Sequence, residues 1–284
     1  MINRLCMIGV GLIGGSLCRA LRSAGAVDNI VGCGRNTAQL ERAVELGVID
    51  SFETDIAKAV SDADVVVVAV PVGMMGDIFS VIKGNLKSGA VLTDVGSAKG
   101  SVVLAARKAF GGDESFFVPG HPIAGTEKSG VEASFAELFN GQRVILTPLE
   151  ATDPLATQVV HKMWQATGAE VLALTVEHHD EVLAATSHLP HVIAYALVDT
   201  LARMHERREI FQFAAGGFRD FTRIASSDPQ MWHDICLANK DSVLDMIKRF
   251  SADLTDLAKA IESEDSETIK ATFSRAKQAR DQYY

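Results

Sequence analysis

Residues 5–16 read Leu5-Cys-Met-Ile-Gly9-Val-Gly-Leu-Ile-Gly14-Gly-Ser16. This stretch decides the fold, because an apolar run typical of a strand leads directly into the glycine pattern GxGxxG, and a helical pattern follows over 17–24. The first glycine permits a tight turn, the second lets the backbone approach a pyrophosphate, and the third lets helix and strand pack closely. Strand, glycines and helix together are a specific signal for dinucleotide binding. The predicted cofactor contacts here are Gly9, Gly11, Leu12, Ile13 and Gly14.

A second strand over 29–33 ends in Gly34-Arg35-Asn36. Sites that prefer NAD place an acidic residue near this point to bind the ribose hydroxyls, whereas an arginine suits the 2′-phosphate of NADP. We therefore expect NADP to be favoured over NAD, with Arg35 and Asn36 at the cofactor. The alternative, that Arg35 is only a solvated loop charge, stays open.

Strands and helices alternate as far as residue 174, which predicts an α/β domain with a mostly parallel sheet. Residues 65–70 form a β-branched run typical of a strand buried on both faces. Ligands of such sheets bind at the carboxyl ends of the strands, so Val70 and Pro71 are assigned to the cofactor. By the same argument Asp94, near the end of the strand over 90–95, and Ser97 and Lys99, just after it, line the site, although Ser97 could instead cap the next helix. Further strands are predicted over 116–118, 143–147 and 170–174, and helices over 40–46, 55–61, 74–86 and 155–167.

The segment 118–130 is rich in glycine and proline and is predicted to be a loop with a fixed path. It carries His121 between Gly120 and Pro122, a setting that would aim the imidazole. Composition alone slightly favours a polar surface turn. The position of the segment, after a strand and downstream of a cofactor site, favours chemistry instead.

After residue 175 the pattern is helical. A helix over 177–204, interrupted at Pro190, places His188 and His191 on one face. A zinc pair is not indicated, since no third ligand cluster lies nearby, and no metal is expected. A long helix from about 229 to 263 carries an apolar stripe that suits a core face or pairing between subunits, and a charged helix over 266–281 follows. The predicted fold class is an α/β Rossmann-type dinucleotide-binding domain (1–174) followed by an all-α C-terminal domain (175–284), with a homodimer formed through the helical domain.

The composition excludes several classes of protein. With 48% hydrophobic residues the chain can build a core, and a net charge of −9 without a long basic run argues against a nucleic-acid partner. The four cysteines are scattered without a CxxC pair, which indicates neither a disulfide framework nor a zinc site. The start of the chain does not resemble a signal peptide, and the longest apolar run is too short to span a bilayer. We expect a cytoplasmic protein that does not bind membranes.

Five ordered motifs resemble the prephenate/arogenate (cyclohexadienyl) dehydrogenase family of tyrosine biosynthesis. They are GxGxxG over 9–14, DVGSxK over 94–99, GHPIAGT over 120–126, SHLPH over 187–191 and GFRDxTR over 217–223. The resemblance covers nearly the whole chain. It implies an enzyme that oxidises the ring alcohol of prephenate, and of arogenate as a further possibility, with hydride transfer to NAD(P) and loss of carbon dioxide. Aromatisation supplies the driving force, which leaves positioning and proton handling to the protein.

The resemblance also implies roles for individual residues. His121 would accept the proton of the ring hydroxyl, and Ser97 would orient His121 or bridge it to substrate and nicotinamide. Arg223 would bind a substrate carboxylate, and His191 matches the position associated with the pyruvyl side chain of prephenate. Thr126 and Glu127 would line the pocket, with Glu127 a candidate gate, and His188 is assigned to the substrate as well. The departure from the NAD-type pattern at Gly34-Arg35 puts NAD preference in doubt.

Two rival interpretations remain. A β-hydroxyacid dehydrogenase has the same two-domain build but usually relies on a catalytic lysine in its helical domain, and the His121 and Arg223 motifs argue against it. A non-catalytic dinucleotide-binding protein belongs to another class. It would tolerate replacement of His121, whereas the enzyme would not.

Overall fold

A computed structural model of the chain describes residues 1–205 and 207–283. Two compact units are formed, Met1–Lys240 and Asp241–Tyr284. The strands are β1 (Ile2–Ile8), β2 (Val27–Cys33), β3 (Ser51–Glu53), β4 (Val65–Val68), β5 (Val91–Asp94), β6 (Phe117–Val118), β7 (Gly120–Ile123), β8 (Arg143–Leu146) and β9 (Glu170–Ala173). The helices are α1 (Leu12–Ser23), α2 (Thr37–Glu45), α3 (Ile56–Val60), α4 (Met75–Ile82), α5 (Lys99–Phe110), α6 (Pro154–Gln165), α7 (Val176–Leu183), α8 (Leu189–Ala202), α9 (Arg207–Gln212), α10 (Gly216–Thr222), α11 (Pro229–Ala238), α12 (Lys240–Glu262) and α13 (Ser266–Tyr283).

The first six strands form one parallel sheet in the order β3-β2-β1-β4-β5-β6. This is the order of the dinucleotide-binding fold, whose ligand crevice lies outside the carboxyl ends of the strands where the order reverses. The strand order reverses between β1 and β4, which are neighbours in the sheet, with Leu5 opposite Val65. The Rossmann-type domain predicted from the glycine pattern is confirmed.

Alternation along the central strands divides the core between the two faces of the sheet. Leu5 and Met7 of β1 pack into a cluster with α1 and α6, whereas Cys6 and Ile8 pack into the opposite cluster with α4 and α5. The valines of β4 divide in the same way, which is why the run 65–68 needs apolar residues at every position. Full burial of each such side chain stabilises the fold by roughly 1.5–3 kcal/mol.

A second, three-stranded sheet in the order β7-β8-β9 follows the first, with β7 and β8 antiparallel. The prediction of a loop over 118–130 is therefore wrong at its start, because His121 lies in β7 and pairs with Ile145. Gly120 and Pro122 both fit extended backbone, so the composition that indicated a turn is equally compatible with a short strand. Residues 124–130 carry no regular structure.

Two helix predictions need correction. The helix predicted to break at Pro190 continues, because a π-helical segment, Ala184–His188, connects α7 to α8 and accommodates the proline in the first turn of α8. The single helix predicted over 229–263 is instead two helices. Asn239 separates them with a non-helical backbone (φ −115°, ψ 36°), and its side chain is buried. In the second unit, Ile261 and Phe273 are each 57% exposed.

Candidate active site

The glycine turn after β1 leaves room for a phosphate at the start of α1. Gly9 has a φ of +96°, and a Cβ there would lie 2.4 Å from the Ala69 carbonyl oxygen, so another residue would force the backbone to move. A Cβ on Gly14 would meet the Gly9 carbonyl oxygen at 2.2 Å, whereas one on Gly11 would meet nothing within 4 Å. Gly11 is also the N-cap of α1 and provides no side-chain cap. The helix start is thus open to an anion, which fits the pyrophosphate of a dinucleotide.

The other predicted cofactor residues lie along the same edge of the sheet. The ends of β1 and β2 are joined by a 2.8 Å hydrogen bond from the Gly9 amide to the Cys33 carbonyl, so Arg35 follows close to the glycine turn. Arg35 is exposed, with its Nη2 3.8 Å from Met74 Sδ, and Asn36 caps α2. Four further residues complete this edge: Leu12 and Ile13 at the start of α1, and Val70 and Pro71 after β4.

A fully buried ion pair fixes the backbone directly before the candidate base, His121. Lys99 Nζ lies 2.5 Å from Asp94 Oδ2 and donates to the Gly120 carbonyl at 2.6 Å. Asp94 in turn accepts from the amides of Gly96 at 2.7 Å and Gly120 at 3.2 Å. The pair therefore ties the end of β5 to the residue that precedes His121. Removing one partner would leave a buried charge without compensation, which is costly.

His121 lies at the end of two hydrogen bonds that start at Asp180. Nδ1 of His179 is 2.8 Å from Asp180 Oδ1, and Nε2 of His179 is 2.9 Å from Nδ1 of His121. Because an ionised carboxylate only accepts, His179 carries its proton on Nδ1 and accepts from His121 through Nε2. A neutral His121 then has its proton on Nδ1 and a bare Nε2. Such an acceptor is what a base that removes a hydroxyl proton requires.

Asp180 also caps α5. Its carboxylate accepts from the amides of Lys99 and Gly100, each at 2.8 Å. The alternative that Ser97 caps this helix is wrong, because the N-cap residue is Ala98 and a full negative charge from α7 takes the role. Ser97 is half-buried in the turn after β5. Among the described residues, the hydrogen-bond partner of the His121 ring is His179.

The surroundings keep His121 neutral and Asp180 charged. Burial lowers the pKa of His121 well below its usual 6.5, and the neighbouring His179, Lys99 and His188 act in the same direction. Burial alone would raise the pKa of Asp180, but the hydrogen bonds from His179 and from two amides outweigh it, and that pKa lies below its usual value. The chain of hydrogen bonds therefore has a fixed direction near neutral pH.

The π-helical segment places His188 in the core of the site. Asn239 Nδ2 donates to the Asp180 carbonyl at 2.8 Å and lies 3.2 Å from His188 Nδ1. Burial lowers the pKa of His188 to about 4, so the ring is neutral with its proton on Nε2. A hydrogen bond between the ring and the Ser97 backbone opposes this shift and links His188 to the turn after β5. His188 thus supports the site from inside.

His191 lies one turn further along, in α8. Its Nδ1 is 2.9 Å from the Ser187 carbonyl, and its ring stacks on Trp232 with centroids 3.6 Å apart and planes 20° from parallel. Trp232 is buried, whereas His191 is half-buried. The ring of His191 is therefore held by two contacts, while the residue stays partly accessible.

Arg223 and Glu127 form an ion pair of 3.1 Å between the helical segment and the segment after β7. Their side chains are 62% and 41% exposed, so the pair is worth no more than about 1 kcal/mol. Thr126, beside Glu127, is exposed and accepts from the Lys128 amide at 3.2 Å. An arginine held this weakly can exchange its partner for a ligand carboxylate.

Four residues of this site escaped the sequence argument: His179, Asp180, Asn239 and Trp232. His179 and Asp180 form the pair His-Asp at the start of the first helix after the last strand, and that pair was a usable signal. Asn239 interrupts an apolar helical pattern with a residue of low helix propensity, a second signal. Nothing local marked Trp232.

Fold and site together define a class. A parallel sheet with a phosphate-sized opening at its glycine turn, beside a buried neutral histidine with a bare acceptor nitrogen, characterises a dinucleotide-dependent oxidoreductase that acts on a hydroxyl group. Among the described residues, no helix is long and apolar enough to cross a membrane.

Comparison with known proteins narrows the class to a family. Two family models match, described as prephenate dehydrogenase, nucleotide-binding domain (residues 17–173) and prephenate dehydrogenase, dimerization domain (residues 175–275). The cyclohexadienyl dehydrogenase of Zymomonas mobilis is 37% identical over 282 residues, which cover 99% of this chain and 96% of the relative. The prephenate dehydrogenase of Bacillus subtilis is 36% identical, covering 99% and 76% respectively.

A crystal structure of prephenate dehydrogenase from Aquifex aeolicus, in complex with hydroxyphenyl propionate and NAD+, superposes with a TM-score of 0.94. It is 40% identical, with 100% of this chain and 99% of that chain covered. The chain therefore belongs to the prephenate dehydrogenase family, and the resemblance drawn from the five motifs is confirmed.

Proposed function

We propose that the chain oxidatively decarboxylates prephenate to 4-hydroxyphenylpyruvate in tyrosine biosynthesis, and that it also accepts arogenate, which yields tyrosine. The observation that carries the proposal is the chain of hydrogen bonds Asp180–His179–His121, which leaves Nε2 of His121 as a bare acceptor. A ring hydroxyl placed beside this nitrogen can lose its proton as the ring carbon that bears the hydroxyl is oxidised. Family membership supports the same reaction.

The reaction balances without net release of a proton. Held at the glycine turn, an oxidised nicotinamide dinucleotide would supply the acceptor for the hydride that leaves the ring carbon bearing the hydroxyl. His121 takes the hydroxyl proton on Nε2. The bond to the ring carboxylate then breaks, carbon dioxide leaves, and its electron pair enters the ring, which becomes a phenolate. His121 returns its proton to the phenolate oxygen.

Asp180 and His179 act as positioning residues in this scheme. They fix the tautomer of His121, and the negative charge on Asp180 stabilises the imidazolium that forms when His121 takes the proton. The low pKa of His121 keeps the ring neutral, and thus able to accept, near pH 7.

The remaining polar residues bind and enclose the substrate. Arg223 takes a substrate carboxylate, for which its planar fork is suited, and releases Glu127 as it does so. His191 contacts the side chain of the substrate, with His188 behind it, and Thr126 lines the entrance. Ser97, in the turn after β5, is the residue to which we assign the bridge between substrate and nicotinamide.

The cofactor is a nicotinamide dinucleotide, and we favour NADP over NAD. Gly9, Gly11 and Gly14, with the start of α1, would hold the pyrophosphate, and Arg35 would face the 2′-phosphate. The support is the exposed guanidinium at the end of β2, where an NAD-type site would carry a carboxylate. The related Aquifex aeolicus structure contains NAD+.

We further infer a homodimer that forms through the helical region 175–284. The exposed Ile261 and Phe273 of the second unit support it, as does the match to a dimerization domain. Sedimentation equilibrium of the purified chain tests this inference. A cytoplasmic location stays a prediction from the sequence.

A four-way steady-state assay tests the proposed function, with prephenate or arogenate as substrate and NAD or NADP as cofactor, followed by nicotinamide absorbance. We expect turnover of prephenate, with the larger kcat/KM for NADP. Absence of turnover in all four combinations, from folded protein that binds a dinucleotide, would contradict the proposal and favour the non-catalytic alternative.

A further inference from the structure

The ring of His191 can titrate at one nitrogen only. Its Nδ1 is 2.9 Å from the Ser187 carbonyl oxygen, and a carbonyl oxygen only accepts. The proton on Nδ1 is therefore present in both charge states of the ring. Stacking on Trp232 prevents the ring from turning over to present the other nitrogen.

The other nitrogen, Nε2, is available to a ligand. Among the described residues it has no hydrogen-bond partner, and it is accessible to solvent. Tyr195, one turn after His191 in α8, donates to the Ser227 carbonyl at 2.6 Å, which ties this part of α8 to the turn Arg223–Ser226. The charge on Arg223 lowers the pKa of His191. A substrate carboxylate on Arg223 thus brings the rest of the substrate beside Nε2.

The two charge states of His191 suit opposite ligands. With Nε2 bare, the ring accepts a hydrogen bond and cannot donate one; with Nε2 protonated, it donates and cannot accept. The side chain of prephenate carries a keto oxygen and a carboxylate, which only accept. The side chain of arogenate carries an ammonium group at the corresponding carbon, and an ammonium only donates.

We propose that the protonation of Nε2 of His191 decides between the two substrates: the neutral ring binds the ammonium group of arogenate, and the protonated ring binds the oxygen atoms of the prephenate side chain. This inference rests on the proposed function and concerns the same site. It makes prephenate binding take up one proton, which arogenate binding does not require.

The charged groups around His191 set its resting state. Burial lowers the pKa of His191 and Arg223 acts in the same direction, while the hydrogen bond to the Ser187 carbonyl opposes both. On the preceding turn, His188 is neutral, because burial lowers its pKa to about 4. Glu127 is engaged by Arg223. In the free enzyme at neutral pH, His191 is therefore neutral and prepared for an ammonium group.

The test is the ratio of kcat/KM for prephenate to kcat/KM for arogenate between pH 6 and 8. Titration of His121 affects both substrates and cancels in the ratio. We expect the ratio to fall with rising pH, by up to about tenfold per unit, the limit for one proton. His191→Asn is the matched variant, because an amide can present either its NH2 or its oxygen. It should turn over both substrates at a ratio that does not change with pH.

Each outcome decides the question. A ratio that stays constant in the wild type, or a slope that persists in His191→Asn, overturns this inference alone. Failure to use arogenate at pH 8 overturns this inference together with the arogenate part of the proposed function, while turnover of prephenate upholds the rest of that function. Turnover of neither substrate overturns the proposed function and this inference with it. If His191→Asn does not fold, calorimetry of 4-hydroxyphenylpyruvate binding to wild-type holoenzyme, in buffers of different ionisation enthalpy, counts the proton directly. Uptake near one proton supports the inference, and uptake near zero overturns it.

Discussion

Nε2 of His179 lies 2.9 Å from Nδ1 of His121, so one histidine determines the tautomer of another. The two residues come from different parts of the chain, one from the first strand of the second sheet and one from the first helix after the sheets. Asp180 completes the arrangement from the next position along that helix. The base of the site is thus oriented by α7, the helix that follows the last strand.

Replacing His179→Phe should lower kcat by roughly 10- to 100-fold, because the ring volume is kept while His121 loses its acceptor and can carry its proton on either nitrogen. The KM for dinucleotide should change little. His178→Phe is the control, since His178 is the exposed neighbour on the same helix. Equal kcat in the wild type and both variants would rule out the positioning role.

Replacing His121→Asn should lower kcat by roughly 100-fold or more, the scale expected for a lost acid–base group. Dinucleotide binding, measured by fluorescence titration, should remain nearly intact because the glycine turn is untouched. Near-normal turnover in this variant would exclude His121 as the base.

Replacing Arg223→Ala should raise the KM for substrate at least tenfold with a smaller change in kcat, because a charged hydrogen bond to a carboxylate is lost. Arg219→Ala, an exposed arginine on the preceding helix, serves as the control. Glu127→Gln should lower the KM a few-fold, since the substrate no longer competes with an internal carboxylate for Arg223. An unchanged KM in Arg223→Ala is the result that refutes the assignment.

Replacing Arg35→Glu should reduce kcat/KM for NADP by at least tenfold and leave NAD less affected, because a carboxylate repels the 2′-phosphate and can bind ribose hydroxyls. Steady-state kinetics with each dinucleotide measures both effects. Parallel changes for the two cofactors would show that Arg35 is only a solvated loop charge.

Stability should fall as the pH drops below 6.5. The pKa of His188 lies at about 4 in the folded chain against 6.5 when exposed, so the unfolded chain binds the extra proton within this window. The contribution of the neutral histidine to the free energy of unfolding is fully present above pH 6.5. It is lost progressively towards pH 4, at up to about 1.4 kcal/mol per pH unit for each such group. His121 and His179, whose pKa values burial also lowers, add in the same direction.

Urea unfolding at pH 5, 6 and 7 measures this slope. His188→Leu should flatten it, whereas His205→Gln, at an exposed position, should leave it unchanged. Equal stability at pH 5 and pH 7 would contradict the assignment of buried neutral histidines.

Some features of this protein are readable from local sequence. The apolar run 65–68 predicts a strand that packs against apolar side chains on both faces. The glycines at 9, 11 and 14 predict a turn that brings strand, helix and phosphate together. These constraints act within a few residues, which is why the fold and the cofactor edge were predictable. Pro190 shows the limit of local reasoning, because a π-helical segment absorbed a residue expected to break the helix.

The sequence by itself determined the Rossmann-type sheet, the glycine turn and the identity of His121 as the candidate base. The tertiary structure alone decided how that base works: His179 orients it, Asp180 caps α5 and anchors His179, and Asn239 holds the helix that carries them. The physical reason is that hydrogen-bond partners are set by distance in space. His121 and His179 are 58 positions apart in the chain, and no local pattern records that their rings meet.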